Sequence, residues 1–212
     1  ARTLHVDQPT RQTPATIPIP PWARPAAGDD GHLALLDLEA GQGYELWQAR
    51  VVGDPSASVA IALPLDGDGV NHAATGVRAT SLSLLLGLVT YDEIRGGGPI
   101  AHALAWVFDK PSRQFFVPPA VSSDGKVSGG RSGSIPAGAR VQLDPTLDLG
   151  TLGLSPAGRR LAEAMQRYGL ICVDSSADSS VVAESLHGGL SWDGLLTEDA
   201  LARIPKIGRA NV

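Results

Sequence analysis

The chain has 212 residues, of which 43% are hydrophobic and 18% are charged, and its formal net charge at neutral pH is −5. This composition is typical of a folded globular protein and excludes an intrinsically disordered one. Lysine and arginine are scattered singly, so the sequence offers no basic stripe for nucleic acid or for anionic lipid. We therefore expect a folded protein with neither nucleic acid nor a membrane as its partner.

Three further expectations concern the environment of the protein. The sequence begins at Ala1 and its only methionine is Met165, so we expect that the natural amino terminus has been removed, either by cleavage of a secretion signal or by truncation, and that the protein is extracellular. The longest apolar run, residues 82–89, is far shorter than the roughly 20 residues that cross a bilayer. Cys172 is the only cysteine, so we expect a small buried hydrophobic residue and no internal disulfide.

Residues 1–30 are predicted to form a proline-rich extended arm. Six prolines lie between positions 9 and 25, a density that prevents a helix and restricts strands to sheet edges. Ile17, Ile19 and Trp22 would be unusual on a free tail, which indicates that the arm packs on the body. The remainder, residues 31–212, is expected to be a single domain, a common size for an all-β fold.

A β-hairpin is predicted next, with strands at residues 32–38 and 44–52 joined by turn residues 39–43. Short apolar segments bounded by Gly, Pro, Asp or Ser predict further strands at 58–63, 100–108, 114–117, 140–143, 170–174 and 181–184. Many short strands with few helices between them favour antiparallel pairing. The expected fold is mainly β, an antiparallel, jelly-roll-like sandwich with one to three short helices.

Helix signals occur at three places. Ser155 followed by Pro156 is typical of a helix start, and Gly169 is placed to end that helix. Residues 90–93 form a capping box that predicts a short helix before three glycines, and residues 197–200 predict another. Residues 124–133 are rich in Gly and Ser and predict a loop.

Two acids in the hairpin are the first candidates for chemistry. A hairpin that closes symmetrically about Gly41 places Asp37 opposite Glu45, with Trp47 on the same face. A neutral acid beside an ionised carboxylate is the arrangement that glycoside hydrolysis needs. We therefore predict Glu45 as general acid or nucleophile, Asp37 as its carboxylate partner, and the indole of Trp47 as a stacking surface for a sugar ring.

Four other residues complete the predicted site. His32 and His102 are expected to border the cleft in catalytic roles, and Tyr44 and Gln48 are expected to contact substrate. The histidine spacing matches no His-x-His or HExxH motif, so we predict no metal site and no cofactor.

Five ordered blocks of the sequence resemble a family of secreted, β-rich proteins of soil actinobacteria and related bacteria. The blocks are DGHL at 30–33, YELWQA at 44–49, GLVTYDE at 87–93, IAHAL at 100–104 and IPAGARVQL at 135–143. The resemblance spans roughly residues 30–195 and brings no known function with it. It implies export, and it places His32, Glu45 and His102 inside the family's blocks.

The first functional expectation is therefore a secreted glycoside hydrolase that acts on a polysaccharide or oligosaccharide. The alternative from another class is a non-catalytic carbohydrate-binding or cell-surface module, in which exposed aromatic rings stack on sugars. A polysaccharide lyase would use His102 or Tyr44 as base, with Gln48 or Arg50 on the uronate carboxyl group. A histidine-based metalloenzyme would use His32 and His102 as ligands.

Overall fold

The computed structural model describes residues 2–73, 76–125, 134–197 and 199–204. The chain divides into two compact units. The first comprises Ala1–Leu86 and Pro119–Ser122, and the second comprises Gly87–Pro118 and Ser123–Val212. The described residues contain no helix that is both long and apolar enough to cross a membrane.

The first unit is built on a three-stranded antiparallel sheet in the order β4-β5-β7. Its strands are β4 (Leu33–Asp37), β5 (Gln42–Trp47) and β7 (Val59–Pro64). Two small pairs extend the unit: β1 (Arg2–Thr3) is antiparallel to β3 (Thr16–Ile17), and β2 (His5–Val6) is parallel to β6 (Ser56–Ala57). The predicted hairpin is therefore present, and the predicted arm contributes strands to the same unit.

The register of the hairpin differs from the predicted one. Asp37 pairs with Gln42, and Glu45 pairs with Ala34, three residues before Asp37. The turn closes early because the Asp37 carboxylate accepts a hydrogen bond from the Ala40 amide at 2.9 Å, as turn aspartates commonly do. An offset of three residues is odd, so it sends Asp37 and Glu45 to opposite faces of the sheet.

Each face of this sheet carries its own apolar cluster. One face packs Leu33, Leu35 and Leu46 against the arm residues Ile17 and Ile19. The prediction that the arm packs on the body is confirmed for these two isoleucines, whereas Trp22 is 74% exposed. The other face packs β7 side chains, among them Val59, Ile61 and Leu63, against Val77 and Leu84. Glu45 pairs with Ile61 and lies on this second face.

The second unit contains a four-stranded sheet in the order β11-β12-β8-β13 and a separate pair, β9 and β10. The bounds are β8 (Leu104–Phe108), β9 (Pro111–Phe116), β10 (Ile135–Ala137), β11 (Arg140–Val141), β12 (Leu170–Ser175) and β13 (Ser180–Val181). The central neighbours β8 and β12 are parallel, and so are β9 and β10. Antiparallel pairing, which the sequence favours, therefore holds for five of the eight strand pairs among the described residues, and the other three pairs are parallel.

The long connection between β8 and β12 contains a helix, as a parallel crossover requires. That helix, α2 (Pro156–Arg167), starts at the Ser155 cap as predicted, and its buried face packs into the unit's core. The capping box at Thr90 also forms and starts α1 (Tyr91–Gly96). A short 3₁₀ helix covers Leu149–Leu152.

The described strands are shared among several separate sheets, and the fold is β-rich as predicted. A sandwich arrangement of these sheets stays a prediction. Residue 198 of the third predicted helix, at 197–200, lies outside the described residues, and residues 199–203 form turns, not a helix. Residues 126–133, most of the predicted loop at 124–133, also lie outside the described residues.

Candidate functional site

Glu45 carries a buried carboxyl group on the second face of the sheet of the first unit, with only 2% of its surface exposed. Its Oε1 accepts a short hydrogen bond from the Ser83 hydroxyl and another from the Leu84 amide at 3.0 Å. Burial raises the pKa of Glu45 above its usual range, although these hydrogen bonds and the charge of Arg78 offset part of that effect. A carboxyl group in this position cannot reach a polysaccharide chain.

Arg78 and His32 hold the same stretch of backbone that Glu45 holds. The Arg78 guanidinium donates to the carbonyls of Ser83 and Leu84, at 2.8 and 3.3 Å. His32 donates from Nε2 to the Val77 carbonyl at 2.9 Å, and burial lowers the pKa of its imidazole. Glu45 and His32 thus anchor residues 77–84, which we call the anchored segment, to the sheet, and Arg78, which belongs to the segment, holds its two ends together. All of these contacts are made to residues 77–84, so they indicate a structural role for the three side chains, not a role in a substrate cleft.

The predicted common patch of Asp37, Glu45 and Trp47 is wrong in its acidic pair. Trp47 follows Glu45 at strand spacing and shares its face, and its indole N–H donates to Asp30 at 3.1 Å. Asp37 and Tyr44 belong to the opposite face, where Tyr44 packs beside the arm cluster. No sheet residue therefore brings a second carboxylate opposite Glu45, whose cross-strand partners are Ala34 and Ile61.

His102 belongs to the second unit, where both of its ring nitrogens face acceptors. Nε2 lies 2.9 Å from a Glu93 carboxylate oxygen, and Nδ1 lies 2.9 Å from the Ala103 carbonyl. Because Glu93 also caps α1 through Thr90, this pair links the helix start to the residues before β8. The contacts describe a positioning role, and the catalytic role of His102 stays a prediction.

A polar groove on the first unit is the best candidate for a binding site. It has a volume of about 590 Å³ and is open on one side. Eleven residues line it, mostly polar or glycine. They are His5, Asp7, Gly28, Asp29, Gly31, Gln48, Ala49, Arg50, Ser56, Ala57 and Ser58. The size falls within the range of known small-molecule sites. Of the residues predicted to contact substrate, Gln48 lines this groove, and so does Arg50, which was predicted to contact substrate in the lyase alternative.

Gln48 has a left-handed backbone, with φ of 53°, which is strained for a residue other than glycine. Two backbone bonds hold it there, since the amides of Gln48 and Ala49 donate to the Asp30 and Gly31 carbonyls at 2.8 and 3.0 Å. Gly31 itself has a left-handed backbone, with φ of 45°, which glycine adopts more readily than other residues. Strain maintained by such restraints is common at functional sites.

The groove side chains form a hydrogen-bonded chain around one hydroxyl group. The Ser58 hydroxyl lies 2.6 Å from the Gln48 side-chain oxygen and 3.3 Å from the Asp7 carboxylate. Asp7 in turn lies 3.3 Å from the His5 imidazole. Carboxylate and amide oxygens accept hydrogen bonds, while Arg50 and the hydroxyls can donate them. The groove can therefore receive a ligand that presents both donors and acceptors.

Sequence reasoning missed His5, Asp7 and Asp29 because it treated residues 1–30 as an arm outside the domain. His5 reaches the groove only through the parallel pairing of β2 with β6, a contact between segments about fifty residues apart that no local pattern predicts. The proline and polar composition of the arm carried no signal for this pairing. Its buried isoleucines were the one available hint.

Among the described residues, no group of three or more His, Cys, Asp or Glu side chains is arranged to hold a metal ion. Comparison with known proteins gives no significant match of any kind. No protein-family model, curated protein or solved structure is similar to the chain.

Proposed function

We propose that this protein is a secreted carbohydrate-binding module and that the polar groove of the first unit is its ligand site. The observation that carries the proposal is the strained Gln48, held beside Ser58 and Asp7 in an open groove of about 590 Å³. Sugar hydroxyls both donate and accept hydrogen bonds. The groove supplies carboxylate, amide, hydroxyl and guanidinium partners for them.

The charge of the groove favours a neutral glycan. Asp7 and Asp29 bring two negative charges and Arg50 brings one positive charge, so an anionic polysaccharide meets net repulsion. This argues against the lyase alternative, which needs a uronate substrate. Trp22, which is 74% exposed in the same unit, supplies an aromatic face of the kind that stacks on sugar rings.

Hydrolysis through Glu45 and Asp37 is not carried forward, because the two residues lie on opposite faces and Glu45 is sealed in the interior. Should the protein cut a glycan, Asp7 and Asp29 are the two carboxylates that the groove offers for the work. Secretion and a sandwich arrangement of the sheets remain part of the proposal, and the sequence pattern supports them.

The test is to incubate the protein with neutral and anionic polysaccharides, measure binding by calorimetry, and analyse any products by mass. We expect binding to at least one neutral glycan without products, and loss of binding in Asp7→Asn. Asp66→Asn removes the same charge from an exposed position outside the groove and should bind normally. Products heavier than the cleaved glycan by one water each would show that the protein is a hydrolase and not a binding module. Absence of binding to every glycan would refute the proposal.

A further inference from the structure

The lining of the polar groove offers many hydrogen-bonding groups and little apolar surface. Seven of its eleven residues have polar side chains, and the other four are glycine or alanine. The lining contains no tryptophan, tyrosine or phenylalanine, and the exposed Trp22 is not part of it. Aromatic side chains provide the apolar faces on which the rings of a ligand stack. Inside the groove, a sugar is therefore held through its hydroxyl groups.

The side-chain amide of Gln48 is positioned to donate to a ligand in the groove. Its oxygen accepts a hydrogen bond from the Ser58 hydroxyl at 2.6 Å, which fixes the orientation of the amide. The amide nitrogen has no hydrogen-bond partner among the residues that the structure describes. Two N–H donors of Gln48 are therefore available to the oxygen atoms of a ligand.

The side chains of Asp29 and Arg50 are available in the same way. Both line the groove, and the described part of the chain gives neither side chain a hydrogen-bond or ion-pair partner. A carboxylate only accepts hydrogen bonds and a guanidinium only donates them. Together with Gln48, these two residues can bind several hydroxyl groups of one ligand at once, some as donors and some as acceptors.

A sugar at the end of a glycan has more free hydroxyl groups than a sugar inside the chain. Each glycosidic bond uses one hydroxyl position on each of the two sugars that it joins. An internal sugar takes part in two such bonds, whereas a terminal sugar takes part in one. In a site that recognises a sugar through hydrogen bonds, the additional hydroxyl group of the terminal sugar supplies an additional interaction.

We propose that the polar groove binds the terminal sugar of a glycan chain, and not an internal stretch of it. The inference rests on the proposed function and specifies its ligand. The volume of about 590 Å³ lies in the range of sites that enclose one small molecule, so it suits a short piece of glycan. Both ends of a chain carry the additional hydroxyl group, and the experiment distinguishes them.

The test is a calorimetric titration with a length series, from a disaccharide to a hexasaccharide, of the neutral glycan that binds best. We expect the Kd per chain to stay constant within about twofold, because each chain presents the same end. An affinity that rises about tenfold along the series would overturn this inference and leave carbohydrate binding intact. Absence of binding to every oligosaccharide and to the parent polysaccharide would refute the proposed function as well.

Modified disaccharides identify the end that is bound. A methyl glycoside lacks the free anomeric hydroxyl of the reducing end, and a deoxy sugar at the other end lacks one hydroxyl group there. One of these two changes should weaken binding about tenfold and the other should not. Equal binding of both modified disaccharides and the parent would overturn the inference.

A variant of Gln48 tests the contact from the protein side. Gln48→Glu keeps an oxygen that accepts from Ser58 and removes the N–H donors, so it should weaken binding of the disaccharide about tenfold. Asp66→Asn, outside the groove, is the control and should bind as the unmodified protein does. Undiminished binding by Gln48→Glu would show that its amide does not contact the terminal sugar and would contradict the inference.

Discussion

Glu45 and Arg78 bind the same dipeptide with complementary groups. The carboxyl oxygen of Glu45 accepts from the hydroxyl of Ser83 and the amide of Leu84. The guanidinium of Arg78 donates to the two carbonyls of that dipeptide. One acid and one base thus provide hydrogen-bond partners for buried polar groups of this dipeptide. Glu45, which the sequence predicted as the catalytic acid, therefore stabilises the interior of the first unit.

The first prediction concerns the stability that Glu45 supplies. Glu45→Ala leaves the buried Ser83 hydroxyl and the buried Leu84 amide without their acceptor, so we expect a loss of about 1–3 kcal/mol for each of the two groups. Glu45→Gln keeps an acceptor in place and should cost about 1 kcal/mol. Urea unfolding of the two variants measures the difference. Equal losses in the two variants would show that the hydrogen bonds do not carry the stability.

The carboxyl group of Glu45 should also make the stability of the protein depend on pH. Because the folded pKa of Glu45 is raised above the ordinary value of 4.5, the unfolded chain loses this proton first as pH rises. Stability from Glu45 is therefore full below about 4.5 and declines as pH rises from there to the folded pKa. Glu45→Gln should lose this decline, and an unchanged pH profile in that variant would contradict the assignment.

His32 is predicted to be a neutral, structural imidazole. Burial lowers its folded pKa below 6.5, and its Nε2–H donates to the Val77 carbonyl. The unfolded chain therefore binds this proton first as pH falls, so the stability is present above about 6.5 and is lost as pH drops toward the folded pKa. Long-range ¹H–¹⁵N spectra at pH 7 should show the Nε2–H tautomer. A charged ring at that pH would refute the structural assignment.

Gln48 offers a way to separate backbone strain from ligand contact. Gln48→Gly and Gln48→Ala remove the same side-chain amide, and both should bind glycan equally weakly. Glycine relieves the left-handed backbone that alanine retains, so the glycine variant should be more stable by about 1 kcal/mol. Thermal unfolding and calorimetry on the pair provide the measurement. An alanine variant as stable as the glycine variant would mean that the backbone carries no strain.

Cys172 is expected to be chemically inert in the folded protein. The residue is fully buried, and burial together with Asp174 and Asp124 raises the pKa of its thiol to about 12. Since the thiolate is the reactive form, a thiol reagent at pH 8 should label the protein only when urea unfolds it. Rapid labelling without denaturant would show that the second unit opens readily around β12.

Local sequence signals predicted local structure well. Ser155 with Pro156, and Thr90 with Glu93, identified two helix starts because capping uses residues within one turn of each other. The hairpin was also predictable, but its register was not. The register depends on where β4 ends and the turn begins. Asp37 is the last residue of β4 and accepts a hydrogen bond from the Ala40 amide in the turn.

Pairings between distant segments account for the rest. The parallel pairing of β8 with β12 joins strands about sixty residues apart, and the pairing of β2 with β6 brings the arm into the groove. Neither has a local signature, since long-range pairing is set by how whole elements pack. For the same reason Gln48 and Arg50 were the predicted contact residues that lie in the groove, and their other neighbours there were missed.

The most direct test of sugar binding is a residue-resolved titration of the ¹⁵N-labelled protein with oligosaccharides from the neutral glycan that binds best. We predict saturable shifts of the amides around the groove, led by Gln48, Arg50 and Ser58, and their loss in Asp7→Asn. Shifts confined to other surfaces, or none in the presence of bound glycan, would contradict the assignment of the groove as the ligand site.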